Sequence, residues 1–220
     1  MDNTSKLLRI ENLQIYKEEM LLLSIEASVA AGEILTVMGP SGSGKSTLLS
    51  WLSGMLDPAF RASGKLLVGA QDITQIPSHL RRTALLFQDP LLFNHLSVSG
   101  NIEFGMQQGK SSSKKQRVLD ALACVGLSGM EARAPKTLSG GQQARVALLR
   151  VLLNEPSVIL LDEPFSKLDS QLRQATRELV FAQIRQRGLA AILVTHDQSD
   201  ADAAGGRVIN LSTTGADKQC

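Results

Sequence analysis

Cysteine, charge of one sign and long apolar runs are all scarce in this chain. Of its 220 residues only Cys124 and Cys220 are cysteines, and a pair so far apart forms neither a metal-ligand spacing nor a disulfide framework. A reducing compartment is the natural setting. Lysines and arginines number 23 against 21 acids, a net charge of +2, too small to argue for a polyanion, so no nucleic acid is expected as partner. No uncharged apolar stretch approaches the roughly 18 to 20 residues that cross a bilayer, and Met1-Asp2-Asn3-Thr4-Ser5 lacks the basic-then-apolar pattern of a secretory leader. Work at a membrane would need a partner to supply the span.

What is present is an ordinary globular composition, 43% hydrophobic and 20% charged, in a chain long enough for one large domain or a core with a subdomain. Short apolar runs alternate with longer helical patterns, which predicts an α/β domain with a mixed, mainly parallel sheet. The runs Ile34 to Met38, Ala84 to Phe87, Val158 to Leu161 and Ala191 to Val194 are apolar but for Thr36, as in strands covered on both faces. The opening segment alternates instead, through Leu8, Ile10, Leu13 and Ile15 and then Leu21, Leu23 and Ile25, and predicts antiparallel strands at one edge. From Pro90 to about Asn154 helical periodicity takes over, which predicts an inserted helical subdomain. The expected division is therefore an α/β core over 1–89 and 155–211, a helical subdomain over 90–154 and a frayed tail over 212–220. Within the helical part, the polar stretch from Gln107 to Lys115, with Ser111-Ser112-Ser113, reads as a loop.

Two glycine-rich turns, each opening a helical pattern, carry the chemistry. Gly39-Pro40-Ser41-Gly42-Ser43-Gly44-Lys45-Ser46-Thr47 fits GxxxxGK[ST], follows a strand pattern and precedes Leu48, Leu49, Trp51 and Leu52. Its glycines let successive backbone N–H groups turn toward one concavity, the helix N-terminus adds partial positive charge, and Lys45 brings a full charge to phosphate oxygens. Ser46 is placed to ligate Mg²⁺. Asp162, ending an apolar strand run, is a matching Mg²⁺ ligand, and Glu163 beside it is suited to polarise an attacking water. The second turn, Leu138-Ser139-Gly140-Gly141-Gln142, precedes Arg145, Val146, Leu148, Leu149 and Leu152. Alone, Ser-Gly-Gly before a helix is also the pattern of a plain N-cap.

With both turns and the acidic pair in one chain, the sequence resembles the nucleotide-binding subunit of ABC transporters, whose signature is that second pentapeptide. The resemblance runs from about Leu8 to Leu211 and implies a P-loop NTPase (RecA-like) core that binds ATP and Mg²⁺. It implies that Gln88, a surface polar residue if taken alone, is the Q-loop glutamine that links Mg²⁺ and the lytic water to the membrane partner. Ser166-Lys167-Leu168-Asp169 is similar to the D-loop at a dimer interface, with Lys167 departing from the commoner alanine, and Asp169 joins the nucleotide-binding set. His196 matches the switch histidine at the γ phosphate, although by itself a histidine at a strand end is more often structural. Tyr16 stands where the family places an aromatic against adenine, with a core position as the alternative.

The resemblance further implies a head-to-tail pair in which Ser139, Gly140, Gly141 and Gln142 of one copy close over the phosphates held by the first turn of the other. Transmembrane permease subunits and an extracytoplasmic substrate-binding protein are implied as partners, at the cytoplasmic face of the membrane. Phe87 to Val98, with Asn101-Ile102, is similar to the same stretch of short importer ATPases, and Leu91, Leu92 and Phe93 are then part of a groove for a permease helix or, alternatively, packing inside the subdomain. With the chain ending soon after its last core strand, no C-terminal regulatory domain is expected. Lipoprotein-releasing or export-type ATPases are the runner-up, and a soluble repair or translation ATPase is a third class. A guanine-specific NTPase is disfavoured because no Asn-Lys-x-Asp occurs.

Overall fold

In the computed structural model of the chain, residues 7–106, 111–168 and 170–212 are described. The apolar runs become four strands of a five-stranded sheet, β3 (Ile34–Met38), β6 (Thr83–Leu86), β7 (Val158–Asp162) and β8 (Ala190–Val194), to which β9 (Val208–Asn210) is added. Their spatial order is β6-β7-β8-β3-β9, and the pairs β3–β8, β3–β9 and β7–β8 are parallel. All five residues of β8 are buried, which is why alternation is missing from its sequence.

The alternating opening segment forms β1 (Leu8–Lys17) and β2 (Met20–Val29), which join β4 (Phe60–Val68) and β5 (Gln71–Asp72) in a sheet ordered β2-β1-β4-β5. The antiparallel strands expected at an edge of the parallel sheet are thus a second sheet of their own. Leu8, Ile10, Leu13, Ile15, Leu23 and Leu66 point into the core. The alternation in β1 skips a residue between Ile10 and Leu13, where the register shifts against both neighbours and Asn12 takes φ 50°. This bulge keeps Leu13 on the buried face.

The chain divides into two compact units. The first holds both sheets and spans residues 1–85, 157–163 and 181–220. Its helix α1 (Lys45–Ser53) buries Leu48, Leu49, Trp51 and Leu52, each worth roughly 1.5–3 kcal/mol on leaving water. Behind α1 stands Arg81, 8% exposed, which donates to backbone carbonyls. Its Nη1 bonds Trp51 O at 2.7 Å, its Nε bonds Ile76 O at 2.7 Å, and its Nη2 bonds Thr74 O at 2.5 Å. A cation at a helix C-terminus meets the negative end of the dipole.

The second unit spans residues 86–156 and 164–180. It takes in 164–180, which the sequence assigned to the α/β core. It contains α2 (Val98–Gly105), α3 (Ser111–Cys124), α4 (Gly140–Leu152) and the first part of α5 (Ser170–Gln186), while α6 (Gln198–Ala204) lies in the first unit. Its core gathers Val98, Ile102, Val118, Leu122, Val146 and Leu149. Helix α3 begins inside the stretch that the sequence reads as loop, so from Ser111 onward that expectation is corrected, while 107–110 lie outside the described residues. A serine run argues against helix locally, and the later apolar positions Val118, Ala121, Leu122 and Val125 override it.

Candidate functional site

In the first unit three parallel strands end level with one another. Val37 of β3 pairs with Val194 of β8, and Val194 pairs with Asp162 of β7. The ladder continues for one bond beyond, with the Thr195 N–H donating to Val37 O at 3.3 Å and the Glu163 N–H to Val194 O at 2.9 Å. Gly39, Asp162, Glu163, Thr195 and His196 therefore leave the sheet along one edge, at the carboxyl ends where open α/β sheets bind ligands.

The first glycine turn needs its glycines for measurable reasons. Gly42 and Gly44 take φ 84° and 89°, in the left-handed region. A Cβ on Gly44 would lie 2.7 Å from Leu23 Cδ2, and one on Gly39 2.7 Å from Ser43 Oγ. Gly44 is the N-cap of α1 and supplies no side-chain cap. Lys45, 9% exposed, folds back so that Nζ donates to Gly39 O at 2.7 Å and Pro40 O at 2.8 Å. Ser43 Oγ is buried without a hydrogen-bond partner, and Ser46 is exposed. A buried hydroxyl left unpaired beside an uncapped helix start is the donor set an incoming anion would satisfy.

Asp162 is half-buried, and its carboxyl is held above the ordinary range, first by burial and second by the neighbouring Glu163 charge, against which the Lys45 ammonium acts. A cation beside it would offset the repulsion from Glu163. Glu163 carries φ 44°, a strained conformation for a non-glycine residue, and its Oε1 lies 3.0 Å from His196 Nδ1. Beneath them Thr195 is buried, with its hydroxyl 3.3 Å from Asp200 Oδ2 and accepting from the Asp197 N–H at 3.1 Å. The sequence reading had no role for Thr195; its signal was a hydroxyl ending an otherwise apolar strand.

Tyr16 is half-buried near the end of β1, outside the core, and its hydroxyl donates to Gln14 at 3.0 Å. It pairs across the ladder with Leu21, next to Leu22 and Leu23, whose side chains abut Gly44.

The second glycine turn and the two polar loops belong to the second unit. Ser139 is the N-cap of α4 in a complete capping box: its Oγ accepts from the Gln142 N–H, while Gln142 Oε1 accepts from the Ser139 N–H at 3.0 Å. A Cβ on Gly141 would lie 2.3 Å from Leu172 Cδ2, whereas one on Gly140 meets nothing nearer than 4.0 Å. Gln88 is exposed and its Nε2 donates to Ser166 Oγ at 2.8 Å. Asp89 and Lys167 form an ion pair beside that bond. Asp169 lies outside the described residues.

Of the three apolar residues after Pro90, Leu92 packs on the helical core. Leu91 is 56% exposed with φ 45°. Phe93 is half-buried, 4.6 Å from the Phe104 ring, and the Arg150 guanidinium stands 5.7 Å over its face. Phe104, 67% exposed, extends this surface and was not singled out in the sequence.

A glycine-rich phosphate loop after a central parallel strand, an acidic pair closing another strand and a capped glycine turn opening a helix define a phosphate-loop nucleotide-binding cassette. The ABC transporter family model matches residues 22–166, and the chain belongs to that family, as an ATP-binding, ATP-hydrolysing subunit. It is 45% identical over 187 residues to the uncharacterized ABC transporter ATP-binding protein YnjD of Escherichia coli K12, covering 84% of this chain and 86% of that one. It is 44% identical over 207 residues to the thiamine import ATP-binding protein ThiQ of Jannaschia, covering 93% and 89%. Among solved structures it matches the dimeric structure of MJ0796, a bacterial ABC transporter cassette, with a TM-score of 0.76 at 28% identity and 94% coverage of each chain.

Proposed function

We propose that the chain is the motor subunit of a binding-protein-dependent importer and works as a head-to-tail homodimer with ATP in its interface. The observation that carries this reading is the single sheet edge from which Gly39 to Lys45, Asp162-Glu163 and His196 all emerge. The import direction is supported by likeness to ThiQ, a thiamine import protein, and the pairing by likeness to a dimeric cassette. A chain with no helix long and apolar enough to cross a membrane among its described residues needs permease subunits for the span. An extracytoplasmic substrate-binding protein completes the assembly, which places this chain at the cytoplasmic face.

The phosphates of ATP sit against the N–H groups of Gly42 to Thr47, with Lys45 turned from its own carbonyls to the phosphate oxygens, and Ser43 Oγ finding an acceptor. Ser46 and Asp162 would hold Mg²⁺, with Gln88 as the further ligand that the family resemblance implies, and the ion would offset phosphate charge. Glu163 orients the attacking water and accepts its proton. His196, whose Nδ1 stands 3.0 Å from Glu163 Oε1, meets the γ phosphate. Tyr16 stacks on adenine. Ser139, Gly140, Gly141 and Gln142, with Asp169, reach the nucleotide of the partner copy, so each chain carries two half-sites. Once the γ phosphate is cleaved the bridge between copies is lost and the pair opens.

The reading is tested by size-exclusion chromatography with light scattering on Glu163→Gln. A dimer formed only with ATP supports it; a monomer at saturating ATP overturns the pairing.

A further inference from the structure

Four consecutive residues at the entrance to the helical unit are each held by a side chain from elsewhere in that unit. Pro90 O accepts from Arg150 Nη2 at 2.9 Å, and Leu91 O from Arg150 Nη1 at 2.8 Å. Gln88 donates to Ser166, and Asp89 pairs with Lys167. The two ends of this strap are unlike. Arg150 is a partly buried cation that stands over the Phe93 ring and makes two bonds to backbone, a permanent anchor. Asp89 and Lys167 are 60% and 53% exposed, and such a pair forms and breaks at little cost.

We propose that Lys167 is a positioning residue for ATP hydrolysis: its ion pair with Asp89 latches residues 88–89 to 166–167 and so fixes how the Gln88 amide is presented. With the Gln88 amide nitrogen given to Ser166, the amide oxygen is left to accept from water or meet a cation. Arg150 keeps the strap attached at Pro90 and Leu91 when the latch opens. This inference rests on the reading of Gln88 and Glu163 as parts of an ATPase site.

The test is steady-state ATP hydrolysis by the full-length protein. Lys167→Met lowers kcat about threefold, within what an exposed pair can contribute, with KM for ATP and the thermal midpoint unchanged. Lys167→Arg restores kcat, and so does the charge-reversed pair Asp89→Arg with Lys167→Asp. Raising the salt from about 0.05 to 0.5 M narrows the gap between Lys167→Met and the unaltered protein, since the attraction is screened. An unchanged or raised kcat in Lys167→Met, no recovery in the reversed pair, or a shift in KM instead of kcat overturns the latch. Full turnover in Glu163→Gln would overturn the ATPase site itself, which separates the two failures.

Discussion

The two glycine-rich turns both open helices, yet the chain treats their first N–H groups in opposite ways. At Gly39 to Lys45 the helix start has no side-chain cap, the glycines hold left-handed backbone, and the one cation present is parked on the loop's own carbonyls. At Ser139 to Gln142 the helix start is closed by a reciprocal capping box, and Gly141 is required by the approach of Leu172 rather than by its φ. The first turn is unsatisfied within its own chain and suited to taking an anion unaided. The second is self-satisfied, so a ligand there must offer more than a capping serine already supplies, as the phosphates presented by a second copy would.

The contrast is broken or sharpened by six substitutions. The largest effect is expected at the acid beside the first turn: Glu163→Gln lowers turnover by about 10²–10⁴-fold while equilibrium binding of labelled ATP is retained. Next, Lys45→Ala weakens ATP binding by about 10- to 100-fold, the range of a hydrogen bond to a charged group; unchanged affinity by titration calorimetry would remove its role. In the second turn, Gly141→Ala costs about 1–3 kcal/mol of stability by overpacking against Leu172, read by urea denaturation, whereas Gly140→Ala folds as well as the unaltered chain. Ser139→Ala costs about 1 kcal/mol through loss of the cap and leaves binding of one nucleotide per isolated monomer intact.

The smallest effect concerns Asp162. Because the fold raises its carboxyl above the ordinary value, its contribution to stability is full below the normal carboxylate range and is lost as pH rises through the raised value. Asp162→Asn therefore raises the neutral-pH thermal midpoint of the nucleotide-free protein by no more than about 2–4 °C and flattens its acid-to-neutral pH dependence.

The parts of this site that the sequence exposes are those in which one residue type has few reasons to be present. Successive glycines ahead of Lys45, and an acid pair closing four apolar residues, are such cases. The three central strands β7, β8 and β3 were legible because burial on both faces leaves nothing to alternate, whereas the edge strand β6 alternates in burial although its sequence is apolar. Strand β4 was not legible, since Arg61, Ser63, Gly64 and Lys65 give it little apolar pattern and only Leu66 is deeply buried; its existence depends on the ladder with β1, a distant pairing. The cluster of Arg150 with Pro90, Leu91 and Phe93 was hidden for the same reason, because an arginine that bonds backbone carbonyls sixty residues away leaves no mark on its neighbours in sequence. Asp89 and Lys167 are likewise separated by 78 positions.

Arg81 has a consequence for how this chain can drift over generations. Gly54, with φ 77°, ends the helix that carries the phosphate loop, and a Cβ there would lie 2.6 Å from the Arg81 Nε. Asparagine is the side chain that best tolerates such a backbone, but it becomes admissible at position 54 only in a lineage that has already shortened Arg81. Losing Arg81 first gives up the bonds to Trp51, Thr74 and Ile76. Either single step passes through a weakened protein, so the two positions are expected to change together.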